Sequence, residues 1–211
     1  MKNLVIICAG GFGREMASWA PQCQGYNTNW TLKGFIDNSE NRLDGYKTSI
    51  EMLSTIDDYI IKDNDVFICA LGDVKLREKY VKKIIKKGGI FMSLVHQSSI
   101  LSSNNITIGD GCFIGPRTTI SCDVQIEDHV SLNCHIDIGH DVKIGSFSHL
   151  NPYAFIGGNC KIGKFVTIHP HAVITPNKTL GDECVVGAGS VVLRNVKFGT
   201  SVFGAPAKNN L

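Results

Sequence analysis

The sequence has no long hydrophobic run, no CxxC pair and no large excess of charge of either sign. The first residues form a strand-like apolar run and not a charged, cleavable signal, so we expect a cytoplasmic protein without membrane insertion. The 21 basic and 19 acidic residues leave a formal net charge of +2. Apart from a lysine cluster at helical spacing in 82–87, basic residues form no stripe, and nucleic acid is not an expected partner.

Eight cysteines without a CxxC pair predict neither a disulfide framework nor a zinc site. Three of them, Cys112, Cys160 and Cys184, occupy one position of a repeat that elsewhere holds valine or alanine. We therefore predict that these cysteines are small core residues. The histidines of the same region show no ligand spacing that a cysteine completes, and we expect no metal.

The first part of the chain alternates short apolar runs with helical patterns. Strands are predicted at 4–8, 32–37, 66–71 and 90–95, and helices from near Gly13 to Pro21 and over 75–87. Strands that alternate with helices predict a parallel sheet with crossover helices.

A glycine turn follows the first predicted strand and contains Gly10, Gly11, Phe12 and Gly13, with Asp37 at the end of the next strand. Glycines let the backbone approach a phosphate at a helix N-terminus, and an acid at this place accepts a sugar hydroxyl. The first glycine of the dinucleotide fingerprint is missing. A nucleotide-linked ligand, a nicotinamide cofactor and a purely structural turn all remain open.

From residue 106 onward an apolar residue returns at every sixth position, which is typical of a parallel β-helix. Glycine follows it in nine repeats, and we predict that these glycines supply the unusual backbone angles of the corners. Exposed sheet faces favour self-association, so we expect an oligomer. The sixteen periodic positions are Ile108, Ile114, Ile120, Ile126, Leu132, Ile138, Ile144, Leu150, Ile156, Ile162, Ile168, Ile174, Leu180, Val186, Val192 and Phe198.

Several segments together resemble a known family. They are the turn at 9–13, the segments at 34–37 and 96–100, the Ile138–Gly145 segment with the following Phe-Ser-His, and the ending at 204–208. They resemble the hexapeptide-repeat sugar acetyltransferases of the NeuD and PglD type. The resemblance implies a Rossmann-like nucleotide-sugar-binding domain at 1–96, a left-handed parallel β-helix acetyltransferase domain at 97–211, a homotrimer, and acetyl-CoA as co-substrate.

The resemblance also implies site residues. His140 is the expected general base, because the free pKa of histidine lies near the working pH, and Asp141 would orient it. His149 would lie near the thioester. The coenzyme A would contact Gly157, Gly187, Ala188, Gly189, Ala205 and Pro206, and the sugar nucleotide would contact Gly10, Gly11, Phe12, Gly13 and Asp37.

The acceptor is the open question of the sequence. Many amino-sugar N-acetyltransferases of this type carry histidine in the glycine turn where this chain has Phe12, whereas sialic-acid O-acetyltransferases carry phenylalanine. We expect acetyl transfer to a nucleotide-linked 4-amino-4,6-dideoxy sugar for bacterial surface glycans. A sugar O-acetyltransferase and a catalytically silent trimeric scaffold are the alternatives.

Overall fold

The computed structural model describes residues 1–209, except for the side chain of residue 40. The chain divides into two compact units, Met1–Leu94 and Val95–Leu211. Within residues 1–209, neither α-helix has the length and apolar character that crossing a membrane requires.

The first unit contains a five-stranded parallel sheet with the strand order β3-β2-β1-β4-β5. Leu4–Ile7 are fully buried, because β1 lies at the centre of this sheet. Single turns of 3₁₀-helix lie at Ala20–Gln22 and Glu40–Leu43. The strands are β1 Lys2–Ile7, β2 Trp30–Ile36, β3 Met52–Ser54, β4 Asp65–Cys69 and β5 Ile90–Phe91, and the helices are α1 Gly11–Trp19 and α2 Val74–Lys86.

Both predicted helices are present. Helix α1 ends at Trp19, before Pro21, and the Asp73 carboxylate caps α2 by accepting the N–H of Lys75 and Leu76 at 3.0 and 2.9 Å. The predicted strand at 90–95 is wrong, because it is two strands: Ile90–Phe91 belongs to this sheet and β6, Leu94–Val95, belongs to a sheet of the solenoid. Strand β3 was not predicted, since it is a short, half-buried edge strand.

A buried carboxylate organises one end of the first sheet. Asp65 accepts hydrogen bonds from the Lys33 ammonium at 2.6 Å, the Tyr59 hydroxyl at 2.7 Å and the Lys62 N–H at 3.0 Å. Burial alone would raise the pKa of Asp65, but these three donors together hold it below its usual value. The charged form of Asp65 therefore stabilises the fold.

We expect the first unit to lose stability in acid through this group. Because the pKa of Asp65 is lowered on folding, its contribution is complete above the unfolded pKa of about 3.9 and disappears as the pH falls through the lower folded pKa. Asp65→Asn should therefore destabilise the unit at pH 7 and flatten its acid slope. Both tryptophans, Trp19 and Trp30, lie in this unit, so urea unfolding followed by fluorescence measures it selectively. An unchanged midpoint at pH 7 would contradict the prediction.

The second unit is a parallel β-solenoid in which strands pair with strands eighteen residues further on, such as Gln125 with Lys143. Three sheets form its sides, with the orders β22-β19-β16-β13-β10-β7, β20-β17-β14-β11-β8 and β24-β23-β21-β18-β15-β12-β9-β6. The remaining strands are β7 Ile100–Leu101, β8 Thr107–Ile108, β9 Phe113–Ile114, β10 Thr119–Ile120, β11 Gln125–Ile126, β12 Ser131–Leu132, β13 Asp137–Ile138, β14 Lys143–Ile144, β15 His149–Leu150, β16 Phe155–Ile156, β17 Lys161–Ile162, β18 Thr167–Ile168, β19 Val173–Ile174, β20 Thr179–Leu180, β21 Val185–Val186, β22 Val191–Val192, β23 Ser201–Phe203 and β24 Lys208–Asn209.

The solenoid core is the predicted apolar ladder. Its periodic residues from Ile114 to Val192 are buried, and Ile108 packs against them. Cys112, Cys160 and Cys184 are fully buried among them, as predicted. This confirms the fold class, a parallel sheet followed by a parallel β-helix.

One periodic position was predicted wrongly. Phe198 is 68% exposed, and Val196 is buried in its place. Leu180 bridges to Val196 and Val186 pairs with Val202, in each case sixteen residues away. The last coil is therefore two residues shorter than the others, which moves Phe198 out of the core.

The predicted reason for the repeated glycines was also wrong. Among the nine, only Gly199 has a positive φ. A Cβ at Gly145 would lie 2.6 Å from the backbone of Gly163 in the next coil, so these glycines permit coils to approach closely. The left-handed conformation falls two positions later, at Gly111, Arg117, Asp123, His129, His135, Asp141, Phe147, Tyr153, Asn159, Phe165, His171, Asn177, Glu183 and Gly189.

Candidate active site

The side chains of His140 and Asp141 are hydrogen-bonded to each other at a corner of the solenoid, between β13 and β14. The His140 Nδ1 lies 2.7 Å from the Asp141 Oδ2, and both side chains are about half exposed. Asp141 holds the left-handed conformation at this corner, with φ 59°. A carboxylate on Nδ1 favours the tautomer that carries its proton there, and leaves Nε2 as the basic nitrogen.

Gly158 lies against the His140 ring in the next coil. A Cβ on Gly158 would be 2.6 Å from the His140 Nε2 and 2.8 Å from its Cε1. The sequence pointed to Gly157 and not to Gly158, whose role depends on a neighbour eighteen residues away. The eighteen-residue spacing of the coils could have revealed Gly158, because residues 122, 140, 158 and 176 occupy the same place in successive coils.

The N–H of Gly158 is not used by the coil. Within residues 1–209 no acceptor pairs with it, whereas the N–H of Asn159 donates to the His140 carbonyl at 2.8 Å. Proline, which has no N–H, occupies the equivalent position at 116, 152, 170 and 176, which shows that the solenoid does not need this donor. Gly158 thus offers a backbone donor beside the free imidazole nitrogen.

A second carboxylate, Asp123, precedes Asp141 by one coil at the same corner. Its pKa lies below the usual value because the Asn105 amide donates to it at 2.9 Å, with further contributions from Cys122 and from the positive charge of His140 when protonated. The corner is therefore acidic around the imidazole.

His149 lies on a flat face of the solenoid, as predicted. Its strand β15 pairs with Ser131 on one side and Thr167 on the other. The side chain is only 6% exposed, and Phe113 and Ser131 on the same face are also buried. His149 therefore does not share a corner with His140.

The two C-terminal segments expected to contact coenzyme A meet in the structure. The N–H of Val191 donates to the Gly204 carbonyl at 2.9 Å, and the N–H of Gly204 donates to the Ser190 hydroxyl at 3.1 Å. The Phe203 ring packs directly on the backbone of Gly187. Residues 187–189 and 204–206 thus lie side by side, whereas Gly157 lies at the corner of His140.

In the first unit, the predicted glycine turn opens α1. Gly10 is the N-cap, and Gly13 lies so close to the Cys8 carbonyl that a Cβ would overlap it. The Asp37 carboxylate accepts the N–H of Ala9 through Oδ2 and the N–H of Ser39 through Oδ1, both at 2.9 Å. Asp37 is buried, so it holds the turn in place.

Two adjoining clefts lie beside this turn. The more polar one, of about 330 Å³, contains the start of α1 together with Arg14 and Arg42. The other, of about 290 Å³, contains Phe35 and Ile50. Arg14 and Tyr46 border both clefts, and the Arg14 guanidinium lies 3.6 Å from the centre of the Tyr46 ring. Arg14, Arg42 and Tyr46 were not predicted, because two of them lie in a segment without periodic pattern.

The comparison with protein families identifies the family to which the solenoid belongs. Residues 96–202 match the family described as the GMPPB C-terminal domain. The chain belongs to this family. Residues 3–84 match the PglD N-terminal domain, which confirms the resemblance to the PglD type in the first unit. The comparison with curated proteins found no match.

Several solved structures have the same fold as this chain and match it over its whole length. The acetyltransferase domain of PglB from Neisseria gonorrhoeae is 23% identical, with a TM-score of 0.89 and full coverage of both chains. PerB from Caulobacter crescentus, in complex with CoA and GDP-perosamine, is 23% identical, with a TM-score of 0.84 over 100% of this chain and 98% of that chain. WeeI from Acinetobacter baumannii is 22% identical, with a TM-score of 0.76 and full coverage of both. At these identities the likeness shows the fold.

Residues 1–209 contain no group of three or more His, Cys, Asp or Glu side chains that could hold a metal ion. The chemistry available at the His140 corner is that of a general base, a carboxylate that orients it, and a backbone N–H. These groups are the ones that acyl transfer requires.

Proposed function

We propose that the chain is an acetyl-CoA-dependent sugar acetyltransferase. It transfers acetyl to the amino group of a nucleotide-linked 4-amino-4,6-dideoxy sugar, for bacterial surface polysaccharide or glycan synthesis in the cytoplasm. The observation that carries the proposal is the His140–Asp141 pair at 2.7 Å, with the free Nε2 facing the backbone of Gly158.

The mechanism is direct attack. The His140 Nε2 takes the proton from the acceptor nitrogen as it attacks the thioester carbonyl carbon, and Asp141 stabilises the imidazolium that forms. We assign to the N–H of Gly158, which has no acceptor among residues 1–209 and lies beside the imidazole, donation to the oxygen on which negative charge develops. The carbon–sulfur bond breaks, and the coenzyme A thiolate leaves and takes up the proton.

The relatives support both substrates. A structure of the PglB acetyltransferase domain contains acetyl coenzyme A, and the PerB structure contains CoA and GDP-perosamine. Both match this chain over nearly its full length. On this basis we assign the coenzyme A contacts to His149, Gly157, Gly187, Ala188, Gly189, Ala205 and Pro206.

The clefts beside the glycine turn support binding of the sugar nucleotide by the first unit. The N-terminus of α1 at Gly10 and Gly11 presents backbone N–H groups to the polar cleft, where Arg14 and Arg42 add positive charge. A helix N-terminus and arginines together suit a diphosphate. We place the sugar near Phe12 and Gly13, with Asp37 supporting the turn.

The solenoid faces support a homotrimer. One side carries an apolar patch of three residues that neighbour one another in successive coils: Phe155 is 43% exposed, and Val173 and Val191 are half-buried. Contiguous apolar surface of this kind favours association. Two further copies of the chain are the partners we propose.

Phe12 favours one alternative, a sugar O-acetyltransferase, because phenylalanine lacks the ring nitrogens of the histidine present in many N-acetyltransferases of this type. A silent trimeric scaffold is the other. The intact His140–Asp141 pair disfavours it, and acetyl-CoA should raise the Tm of an active enzyme.

The proposal is tested by acetyl transfer from acetyl-CoA to a panel of nucleotide-linked 4-amino sugars and free sugars, followed by release of the coenzyme A thiol. We expect turnover with at least one nucleotide-linked amino sugar. Turnover only with a sugar hydroxyl would establish the O-acetyl alternative. No turnover and no shift in Tm with acetyl-CoA would favour the scaffold.

Arg42→Gln is expected to weaken binding of the sugar nucleotide about tenfold or more, since it removes a charge-assisted contact to phosphate. Arg42 is more than half exposed, and its ion pair with Asp37 is long at 3.8 Å, so the fold should survive. Calorimetry with the matching nucleoside diphosphate measures the effect. Binding of coenzyme A serves as the control, and an equal loss for both ligands would contradict the assignment.

A further inference from the structure

Helix α2 and the residue after it form a strongly basic segment. Residues 74–87 contain six lysines and Arg77 but only one acid, Glu78, which pairs with Lys82 at 2.8 Å. The segment therefore has a net charge of +6, whereas the whole chain has +2, so the rest of the chain is net acidic. Positive charge is concentrated on one element of the first unit, and the proposed acetyl transfer does not use it.

Four of these lysines form a stripe along the outer side of the helix. The stripe consists of Lys75, Lys79, Lys82 and Lys86. At about 3.6 residues per turn these positions lie within roughly 60° of one another. All four side chains are exposed, whereas Arg77, Val81 and Ile84 on the opposite side of the helix are buried. The sequence indicated only a cluster in 82–87, and the helix extends it by two turns.

Exposed isoleucines lie around the C-terminal end of the same helix. They are Ile60, 81% exposed, Ile85, 52% exposed, and Ile90, 65% exposed. Ile90 follows the helix after two glycines. The loop that carries Ile60 is held at this end of the helix, because the Lys87 ammonium donates to the Tyr59 carbonyl at 3.1 Å. Aliphatic side chains thus border the lysine stripe.

The lysine stripe and the two clefts lie on opposite faces of the first sheet. Helix α1 connects β1 to β2 and α2 connects β4 to β5, and these connections run in opposite directions across the order β3-β2-β1-β4-β5. Because crossovers between parallel strands are right-handed, the two helices lie on opposite faces. The clefts lie beside α1, so a large partner on the outer side of α2 leaves them open.

We propose that the α2 surface, which consists of the four stripe lysines and the three exposed isoleucines, docks on an anionic phospholipid bilayer. Each lysine near such a surface strengthens binding about fivefold, and the isoleucines bury aliphatic groups at the level of the headgroups. The net acidic remainder of the chain orients the protein, because only this surface is attracted. Nucleic acid fits less well, since isoleucine neither stacks on bases nor donates to phosphate.

The inference goes beyond the proposed function and does not depend on it. It is tested by co-sedimentation of the full chain with vesicles of equal parts phosphatidylglycerol and phosphatidylcholine. We expect binding that weakens as the salt concentration rises, and no binding to pure phosphatidylcholine. Lys75→Gln, Lys79→Gln, Lys82→Gln and Lys86→Gln combined should lower the partition coefficient about a hundredfold or more. Ile60→Ser should lower it about tenfold, because it removes a side chain that becomes buried.

The matched control removes the same charge from the solenoid, by glutamine at the exposed residues Lys143, Lys161, Lys164 and Lys197. It should bind the vesicles like the wild type. An equal loss in this control, or no binding of the wild type to the anionic vesicles, would overturn the inference. Binding to a DNA duplex but not to vesicles would also overturn it and would assign the surface to nucleic acid. Acetyl transfer in solution should be equal in the stripe variant and the wild type, so the two proposals fail separately.

Discussion

His140→Ala should lower kcat by roughly 10²–10⁴-fold, the range of general-base catalysis. The side chain is half exposed and, apart from its backbone, hydrogen-bonds only to Asp141 among residues 1–209. Its removal leaves no cavity in the core, so the thermal stability should be nearly unchanged. KM for acetyl-CoA should change little, because the variant loses an interaction made chiefly in the transition state.

The matched control is His135→Ala, a histidine at another corner of the same solenoid. It should retain wild-type kcat. Asp141→Asn should fall between the two, because asparagine also tolerates the left-handed conformation at φ 59° but removes the negative charge beside Nδ1. Near-normal turnover of His140→Ala would remove this residue from the mechanism.

Gly158→Ala should lower kcat about tenfold to a hundredfold without unfolding the solenoid. The nearest atoms to the new Cβ, at 2.6 and 2.8 Å, belong to the His140 imidazole and not to the backbone. The ring must therefore move while the coil stays in place. Displacement of a catalytic group by about 1 Å costs on the order of a hundredfold in rate.

Gly157→Ala separates this effect from general damage to the coil. Its Cβ would lie 2.6 Å from the backbone nitrogen of Pro176, so we expect loss of stability of about 1–3 kcal/mol. Tryptophan fluorescence cannot follow the unfolding of the solenoid, because both tryptophans lie in the other unit. The thermal unfolding is therefore measured by circular dichroism. Full activity of Gly158→Ala, or a Tm as low as that of Gly157→Ala, would contradict the positioning role.

The sequence predicted the solenoid well, because each inward residue repeats the same local rule. The rule failed at Phe198, where the last coil loses two residues and Val196 becomes the buried residue. The sequence also led to a wrong prediction for the repeated glycines, whose role is to let neighbouring coils approach closely. A pattern shows where glycine recurs, but the distance from Gly145 to the backbone of the next coil appears only in three dimensions.

In the candidate site, too, some residues could be predicted from the sequence and others could not. His140 and Asp141 are neighbours in the chain, so their pairing followed from the motif and from the corner it predicted. Gly158 was missed because it meets His140 only through the coil spacing. Arg14 and Tyr46 were missed because their stacking joins a helix to a segment without regular structure.

The sequence by itself determined the two-part architecture, the apolar core of the solenoid and the histidine–carboxylate pair. These features arise from periodic or adjacent residues, whose interactions are set by local geometry. Only the tertiary structure decided which glycine lies against the His140 imidazole and which arginines border the clefts. Each of these depends on residues far apart in the chain whose distances the coil rise and the loop paths determine.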